Sequence, residues 1–242
     1  MRPIYIYGDS HGEWDKIQDK IKRFDLRDCH LIHVGDIGIG FSRRDKEIEK
    51  LDSLNYFFGM RSISFLGIAG NHDNPEYFKG NSDLLDINFS HIELLPSYTR
   101  REINGLKFLF IGGAVSIDRE NRTEGLDYWK DEEIIPPPEG LFRLDSIQSN
   151  PIQADLIPDV IVSHDCPLEV GFSTHKLYDA PGNPVKTDAI RGRQILSDIW
   201  AEYPPKQWFY GHYHASQTDY VQKSGKITKF TMLNAHEMME IL

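Results

Sequence analysis

The stretch Ile4-Tyr5-Ile6-Tyr7-Gly8-Asp9-Ser10-His11-Gly12 carries the pattern from which the rest of the chain can be read. A short β-branched and aromatic run reads as a buried strand, Gly8 ends it, and an aspartate and a histidine follow on the loop. The pattern recurs down the chain. Leu31-Ile32-His33-Val34 leads into Gly35-Asp36, and Ile63-Ser64-Phe65-Leu66-Gly67-Ile68-Ala69 into Gly70-Asn71-His72-Asp73. Val160-Ile161-Val162 leads into Ser163-His164-Asp165, and Trp208-Phe209-Tyr210 into Gly211-His212-Tyr213-His214. Between the first three strands, Trp14, Ile17, Ile21 and Phe24, then Ile48, Leu51, Leu54 and Phe58, fall near helical spacing. The second helix is entered through Arg43-Arg44-Asp45-Lys46. A βαβαβ opening of this kind predicts parallel strands joined by crossover helices, hence an α/β fold.

Beyond the third strand the pattern changes. Asn104-Gly105 between Arg101-Glu102-Ile103 and Leu106-Lys107-Phe108-Leu109-Phe110-Ile111 signals a hairpin. Residues 112–140 are polar, include Pro136-Pro137-Pro138, and predict a surface excursion of the kind that carries function. Ile190, Leu196, Ile199 and Trp200 predict a late helix halted by Pro204-Pro205, and the tail predicts a hairpin turning at Ser224-Gly225. No repeat interrupts the chain, and 242 residues fit one α/β domain spanning 1–242.

The bulk composition narrows the class. With 40% hydrophobic and 12% aromatic residues the chain can build a real core. No apolar run approaches the roughly 20 residues that span a bilayer. The first strand begins so early that no signal peptide is expected, and two cysteines, Cys29 and Cys166, suit a reducing cytoplasm. A formal charge of −10 argues against a general nucleic-acid surface, which needs clustered Lys and Arg. It leaves phosphate substrates open, because bound cations invert the local charge.

In open α/β sheets, ligands gather at the carboxyl ends of strands, which is where the five clusters fall. Asp-Gly and Asn-His pairs are common turn chemistry, but that explains one or two clusters and not five. Of ten histidines, His11, His72, His164, His212 and His214 lie in the clusters; His30, His33, His91, His175 and His236 are expected to be structural or solvated. Imidazole and carboxylate donors without thiolates suit Mn, Fe, Zn, Co or Ni, with Mn the first choice. Two such ions stand ~3.5–4 Å apart and share a carboxylate. Asp36, alone on its loop between the other two N-terminal clusters, is the candidate for that shared ligand.

Together the clusters resemble the calcineurin-like metallophosphoesterase superfamily, and in particular its small bacterial and phage members. The family pattern is Asp-x-His, Gly-Asp, Gly-Asn-His-Asp/Glu, a lone His and Gly-His-x-His, and all five blocks occur here in order between positions 8 and 214. The resemblance implies a four-layer α/β/β/α sandwich of two mixed sheets. It implies one metal held by Asp9, His11, Asp36 and His214, and a second held by Asp36, Asn71, His164 and His212. It also implies that His72 faces substrate as general acid or stabilises transition-state charge, with Asp73 orienting its imidazole and holding it protonated. Asp165 would either orient His164 or cap the following turn, and Cys166 would pack rather than ligate.

The departures from the pattern bear on the substrate. Protein Ser/Thr phosphatases of the superfamily carry Asp-Arg-Gly after the second block, and an arginine beside the catalytic His. Here Gly35-Asp36-Ile37-Gly38 and Asp73-Asn74-Pro75 lack both. In the excursion, Arg119 or Arg122 could hold a phosphate oxygen, and Tyr128 or Trp129 could stack on a base or wall the pocket. The alternative for each is an ordered loop with internal Asp–Arg pairs. The expected function is metal-dependent hydrolysis of a small phosphate ester, with a nucleotide among the candidates, by a metal-bridging hydroxide with His72 as acid, a phosphodiesterase before a phosphomonoesterase. A non-catalytic protein-binding scaffold is the competing class, and such members lose ligands that this chain keeps.

Overall fold

In a computed structural model the structure describes residues 1–79, 89–138, 157–170, 184–223 and 225–241. The recurrent apolar runs form strands β1 (Ile4–Tyr7), β2 (His30–His33) and β3 (Ser64–Ile68). Helices α1 (Trp14–Arg23) and α2 (Arg44–Gly59) join them. A fourth strand, β4 (Ile92–Leu95), lies parallel to β3. The hairpin at Asn104-Gly105 pairs β5 (Thr99–Ile103) with β6 (Leu106–Ile111), and both turn residues have positive φ, 55° and 80°. This is the pair of left-handed conformations that a two-residue hairpin turn requires. After the excursion come β7 (Val160–Ser163), helix α3 (Pro184–Glu202), β8 (Gln207–Tyr210), and the antiparallel pair β9 (Gln217–Lys223) and β10 (Lys226–Met232). The chain returns through β11 (Met238–Ile241), which pairs antiparallel with β1.

These strands form two mixed sheets, β11-β1-β2-β3-β4 and β5-β6-β7-β8-β10-β9. Alternation along each strand sorts side chains into three apolar layers. Ile4, Ile6, Ile32, Val34, Leu66 and Ile68 from the first sheet meet Phe108, Phe110, Val160, Val162 and Phe209 from the second. The opposite face of the first sheet (Leu31, Phe65) packs on Ile17 and Ile21 of α1 and Leu51, Leu54 and Phe58 of α2. The outer face of the second sheet (Leu109, Ile161, Trp208, Phe230) packs on Leu196, Ile199 and Trp200 of α3. The result is a four-layer α/β/β/α sandwich, as expected from the sequence.

Several details differ from expectation. Phe24 closes α1 and is exposed, so the apolar stripe of that helix stops at Ile21. Strands β4 and β11 were not foreseen: each is four residues long, and β11 is held in place by its pairing with β1. The excursion leaves β6 and contains two single turns of 3-10 helix, Arg119–Asn121 and Lys130–Glu132. Its last residues, 139 and 140, together with His175 and Ser224, lie outside the described residues. Among the described residues no helix is long and apolar enough to cross a membrane.

Phe110 sits fully buried between the two sheets. Replacing it with alanine should cost about 3–5 kcal/mol, from lost burial plus the cavity left behind. Urea unfolding of the variant measures this; a loss under ~1 kcal/mol would mean that the inter-sheet layer collapses around the gap.

Candidate metal centre

The parallel strands β1, β2 and β3 of one sheet and β7 and β8 of the other all deliver a cluster at their carboxyl ends. Asp9, Asp36, Asn71, His164 and His212 thereby meet at one edge of the sandwich. Two groups of donors result, with ligand atoms all within 4.8 Å of one another: Asp9, His11, Asp36 and His214, and Asp36, His164 and His212. Asp36 belongs to both.

In the first group, His11 Nε2 and His214 Nε2 approach to 2.8 Å, His214 Nε2 lies 3.3 Å from Asp9 Oδ2, and His11 Nε2 lies 3.8 Å from Asp36 Oδ2. In the second, His164 Nε2 lies 3.2 Å from Asp36 Oδ1 and 3.2 Å from Asn71 Oδ1. The other nitrogen of His164 faces the carbonyl of Val34 at 2.9 Å, so Nδ1 donates there and Nε2 is turned to the carboxylate. Lone-pair atoms this close repel unless something positive lies among them. Asp9 Oδ1 is buried and has no hydrogen-bond partner among the described residues. Burial disfavours the charged form of His164, yet Asp36 and then Asp9 overcome it and push the pKa up to about 10. The site is short of positive charge, and its donors fit divalent cations.

The glycines that precede the ligands provide room as well as conformational freedom. A Cβ at Gly70 would stand 2.1 Å from Asp36 Oδ1, and one at Gly211 the same 2.1 Å from Asp9 Oδ1. Both are therefore closed to any side chain. Four of the ligands, His11, Asp36, His212 and His214, adopt positive φ of 46°, 53°, 69° and 49°, as do six other non-glycine residues among those described. Non-glycine residues rarely occupy that region, and they do so chiefly where function over-determines the geometry.

Asp73 differs from its expected role. Its Oδ1 accepts the backbone N–H groups of Gly38 (2.7 Å) and Ile39 (2.9 Å), and its Oδ2 those of Ile37 (3.0 Å) and Gly70 (2.8 Å). Burial and the nearby Asp36 push its pKa up to about 8 while these donors pull it down. With two donors on each oxygen, no lone pair is left for an imidazole. Asp73 thus staples the Asp36 loop to the Asn71 loop instead of orienting His72.

His72 is held by other groups. Its backbone N–H donates to Asp36 Oδ1 at 2.7 Å, its ring stands edge-on to His11 with centroids 4.8 Å apart, and Arg122 reaches it from the excursion. The Arg122 guanidinium lies 3.0 Å from His72 Nε2 and 2.8 Å from Asp118 Oδ1. Burial lowers the His72 pKa to about 4; Asp36 opposes this and Arg122 adds to it. Burial thus favours the neutral imidazole.

A cavity of about 400 Å³ opens over the donors, lined by Asp36, Asn71, His72, Asp118, Arg122 and Tyr213 among others. Of the four residues proposed for substrate, only Arg122 lines it. Arg119 is paired with Glu133 (2.8 Å) and with Asp188 of α3. Trp129 is buried edge-on against Phe41, with centroids 5.0 Å apart, and Tyr128 is half-buried away from the cavity wall. Asp165 accepts the Cys166 N–H at 2.7 Å and the Tyr213 hydroxyl, so it caps the turn and fixes a cavity wall rather than orienting His164. Cys166 packs in the interior, its thiol donating to the Val170 carbonyl at 3.3 Å. Sequence reading missed Tyr213, Ser116 and Glu132, whose partners lie 16 to 48 residues away; Asp118 pairs with Arg122 four residues on, within the Asp–Arg pairing that the sequence left open.

Asp73→Asn turns an acceptor into an NH2 group that faces two N–H donors. It should cost about 1–3 kcal/mol of stability, as does leaving a buried donor unsatisfied. Urea unfolding of metal-free protein checks this, and a midpoint equal to wild type would contradict the staple.

The comparisons with known proteins bear on the whole chain. The family model of calcineurin-like phosphoesterases matches residues 2–216. No curated protein matches the sequence. Among solved structures, a predicted phosphoesterase from Streptococcus pneumoniae TIGR4 is 13% identical with a TM-score of 0.37, the match covering 99% of this chain and 83% of that one. A protein serine/threonine phosphatase from Saccharomyces cerevisiae is 16% identical with a TM-score of 0.36, over 96% of this chain and 67% of that one. With its family match running through all five ligand clusters, the chain belongs to the calcineurin-like phosphoesterases.

Proposed function

We propose that the chain, acting as one domain, is a two-metal phosphoric ester hydrolase, with a small phosphodiester as its substrate. The observation that carries this reading is the sharing of Asp36 by two convergent donor groups. Asp9, His11, Asp36 and His214 would hold one cation, and Asp36, Asn71, His164 and His212 the other, with manganese the preferred metal. The bound pair would supply Lewis acidity and an activated water for in-line displacement at phosphorus.

The chain's own residues do the rest. Arg122 stands beside His72 and binds a non-bridging phosphate oxygen through its planar fork. Among the described residues it is the single arginine or lysine lining the cavity, and Asp118 already takes part of its charge. One half-neutralised guanidinium suits a singly charged diester better than a doubly charged monoester. His72 faces the cavity, where it would act on the departing oxygen. At rest it is neutral and accepts from Arg122; an anionic ester competes for Arg122 and favours the imidazolium, which then delivers its proton to the leaving group. A phosphomonoesterase is the second reading, since Arg122 puts an arginine beside His72 although none follows Asp73 in the chain.

Reconstituted with Mn²⁺, the protein should hydrolyse bis-p-nitrophenyl phosphate with a higher kcat/KM than p-nitrophenyl phosphate. Asp36→Asn should lose activity on both and bind fewer than two equivalents of metal. Full metal content and turnover in that variant would sink the two-metal reading, and a reversed substrate preference would favour the monoesterase. His72→Ala should lose about 10²–10⁴ in kcat on alkyl or nucleoside esters. The loss on p-nitrophenyl esters should be much smaller, since that leaving group needs no proton. A uniform loss, measured by steady-state rates across a leaving-group series, would leave His72 a purely electrostatic role.

A further inference from the structure

Asn71 can ligate a cation only through its amide oxygen, and a rotated amide would point an NH2 group at the ion instead. Nothing in the side chain itself fixes the choice. Its Nδ2 donates to Ser116 Oγ at 3.1 Å, and Ser116 leads to Glu132. There, the Ser116 hydroxyl donates to Glu132 Oε2 at 2.9 Å and the Ser116 backbone N–H donates to Oε1 at 2.7 Å. All three residues are buried, at 3%, 1% and 1% exposure for Asn71, Ser116 and Glu132, so water does not compete for these bonds.

The direction of the chain follows from counting hydrogens. A hydroxyl has one hydrogen, and an ionised carboxylate can only accept. Ser116 must therefore spend its hydrogen on Glu132 and turn lone pairs to Asn71, which fills them with its NH2 group. The amide oxygen is then forced inward, where it lies 3.2 Å from His164 Nε2. We propose that Glu132 and Ser116 are positioning residues whose hydrogen-bond polarity sets the Asn71 amide and so creates the second cation site. This rests on the two-cation reading above.

A role in loop anchorage alone predicts something different. The backbone bond from Ala114 N–H to the Glu132 carbonyl, 3.0 Å, ties the excursion down without any side chain. Such a role would need neither a carboxylate nor a particular orientation of the hydroxyl. Glutamine at position 132 separates the two. Its oxygen can keep the Ser116 N–H, but its NH2 then donates to Ser116 Oγ. The Ser116 hydrogen then loses its acceptor, and flipping the Asn71 amide oxygen toward it restores one.

Mn²⁺ titration calorimetry on wild type, Glu132→Gln and Ser116→Ala tests this. Burial pushes Glu132 up to about 7, so the titration is run at pH 8, where the carboxylate is ionised. Wild type should take two equivalents. Glu132→Gln should keep the first affinity and lose about 10–100-fold in the second, the usual cost of removing an outer hydrogen-bond partner of a metal ligand. Ser116→Ala, which frees the amide to rotate, should do the same, and it carries the test if Glu132→Gln fails to melt cooperatively. Wild-type affinities at both sites in a folded variant, or equal weakening of both sites, would overturn the proposal while leaving the two-cation reading standing. Fewer than two equivalents in wild type would instead overturn that reading, and the proposal with it.

Discussion

A carboxylate taken out of water costs several kcal/mol unless opposite charge surrounds it, and Asp36, 1% exposed, is the carboxylate on which this molecule converges. One oxygen faces His11 and the other faces His164. Its backbone carbonyl accepts the N–H groups of Ser10 and His11, and its Oδ1 accepts that of His72. Asp36 therefore joins three loops from three adjacent strands, while its charge is matched only partly by protein groups. Cations shared between the two donor sets would complete that balance. The positive φ of Asp36 and the bare Cα of Gly70 become intelligible as conditions for packing this charge so tightly.

The sandwich is what makes the convergence possible. Parallel strands end level with one another, since Tyr7 pairs with His33 and His33 with Gly67 in the first sheet. In the second, Ile111 pairs with Ser163 and Val162 with Phe209. Each strand hands its loop to the same edge, and the central layer of Ile, Val and Phe side chains fixes the distance between the two sheets. Asp73 then locks two loops of the first sheet together, and the excursion closes over the top from the second. Arg122 and Ser116 arrive by that route, one at His72 and the other at Asn71.

Much of this was legible in the sequence because the signals were local. An apolar run, a glycine and a ligand pair lie within a few residues of one another, and Asn104-Gly105 dictates its own turn. The strands β4 and β11 were not legible. Their four residues acquire meaning only from β3 and β1 beside them. The candidate ligands could be named from their clusters, but the roles of their neighbours could not. Asp73 stands next to His72 in the chain and yet faces backbone donors from Ile37 to Ile39. Arg122 is 50 residues from His72 and touches it. Arginine, tyrosine and tryptophan in the excursion looked alike as substrate contacts; packing separated Arg122, on the cavity wall, from Arg119 and Trp129, which hold the loop itself.

The central claim is that one carboxylate serves two cations. Anomalous diffraction from Mn²⁺-soaked crystals, collected above the manganese edge, tests it directly. Two peaks about 3.5–4 Å apart, with the Asp36 carboxylate between them, are the expected result. A single peak, or a pair too far apart for Asp36 to touch both, would contradict it.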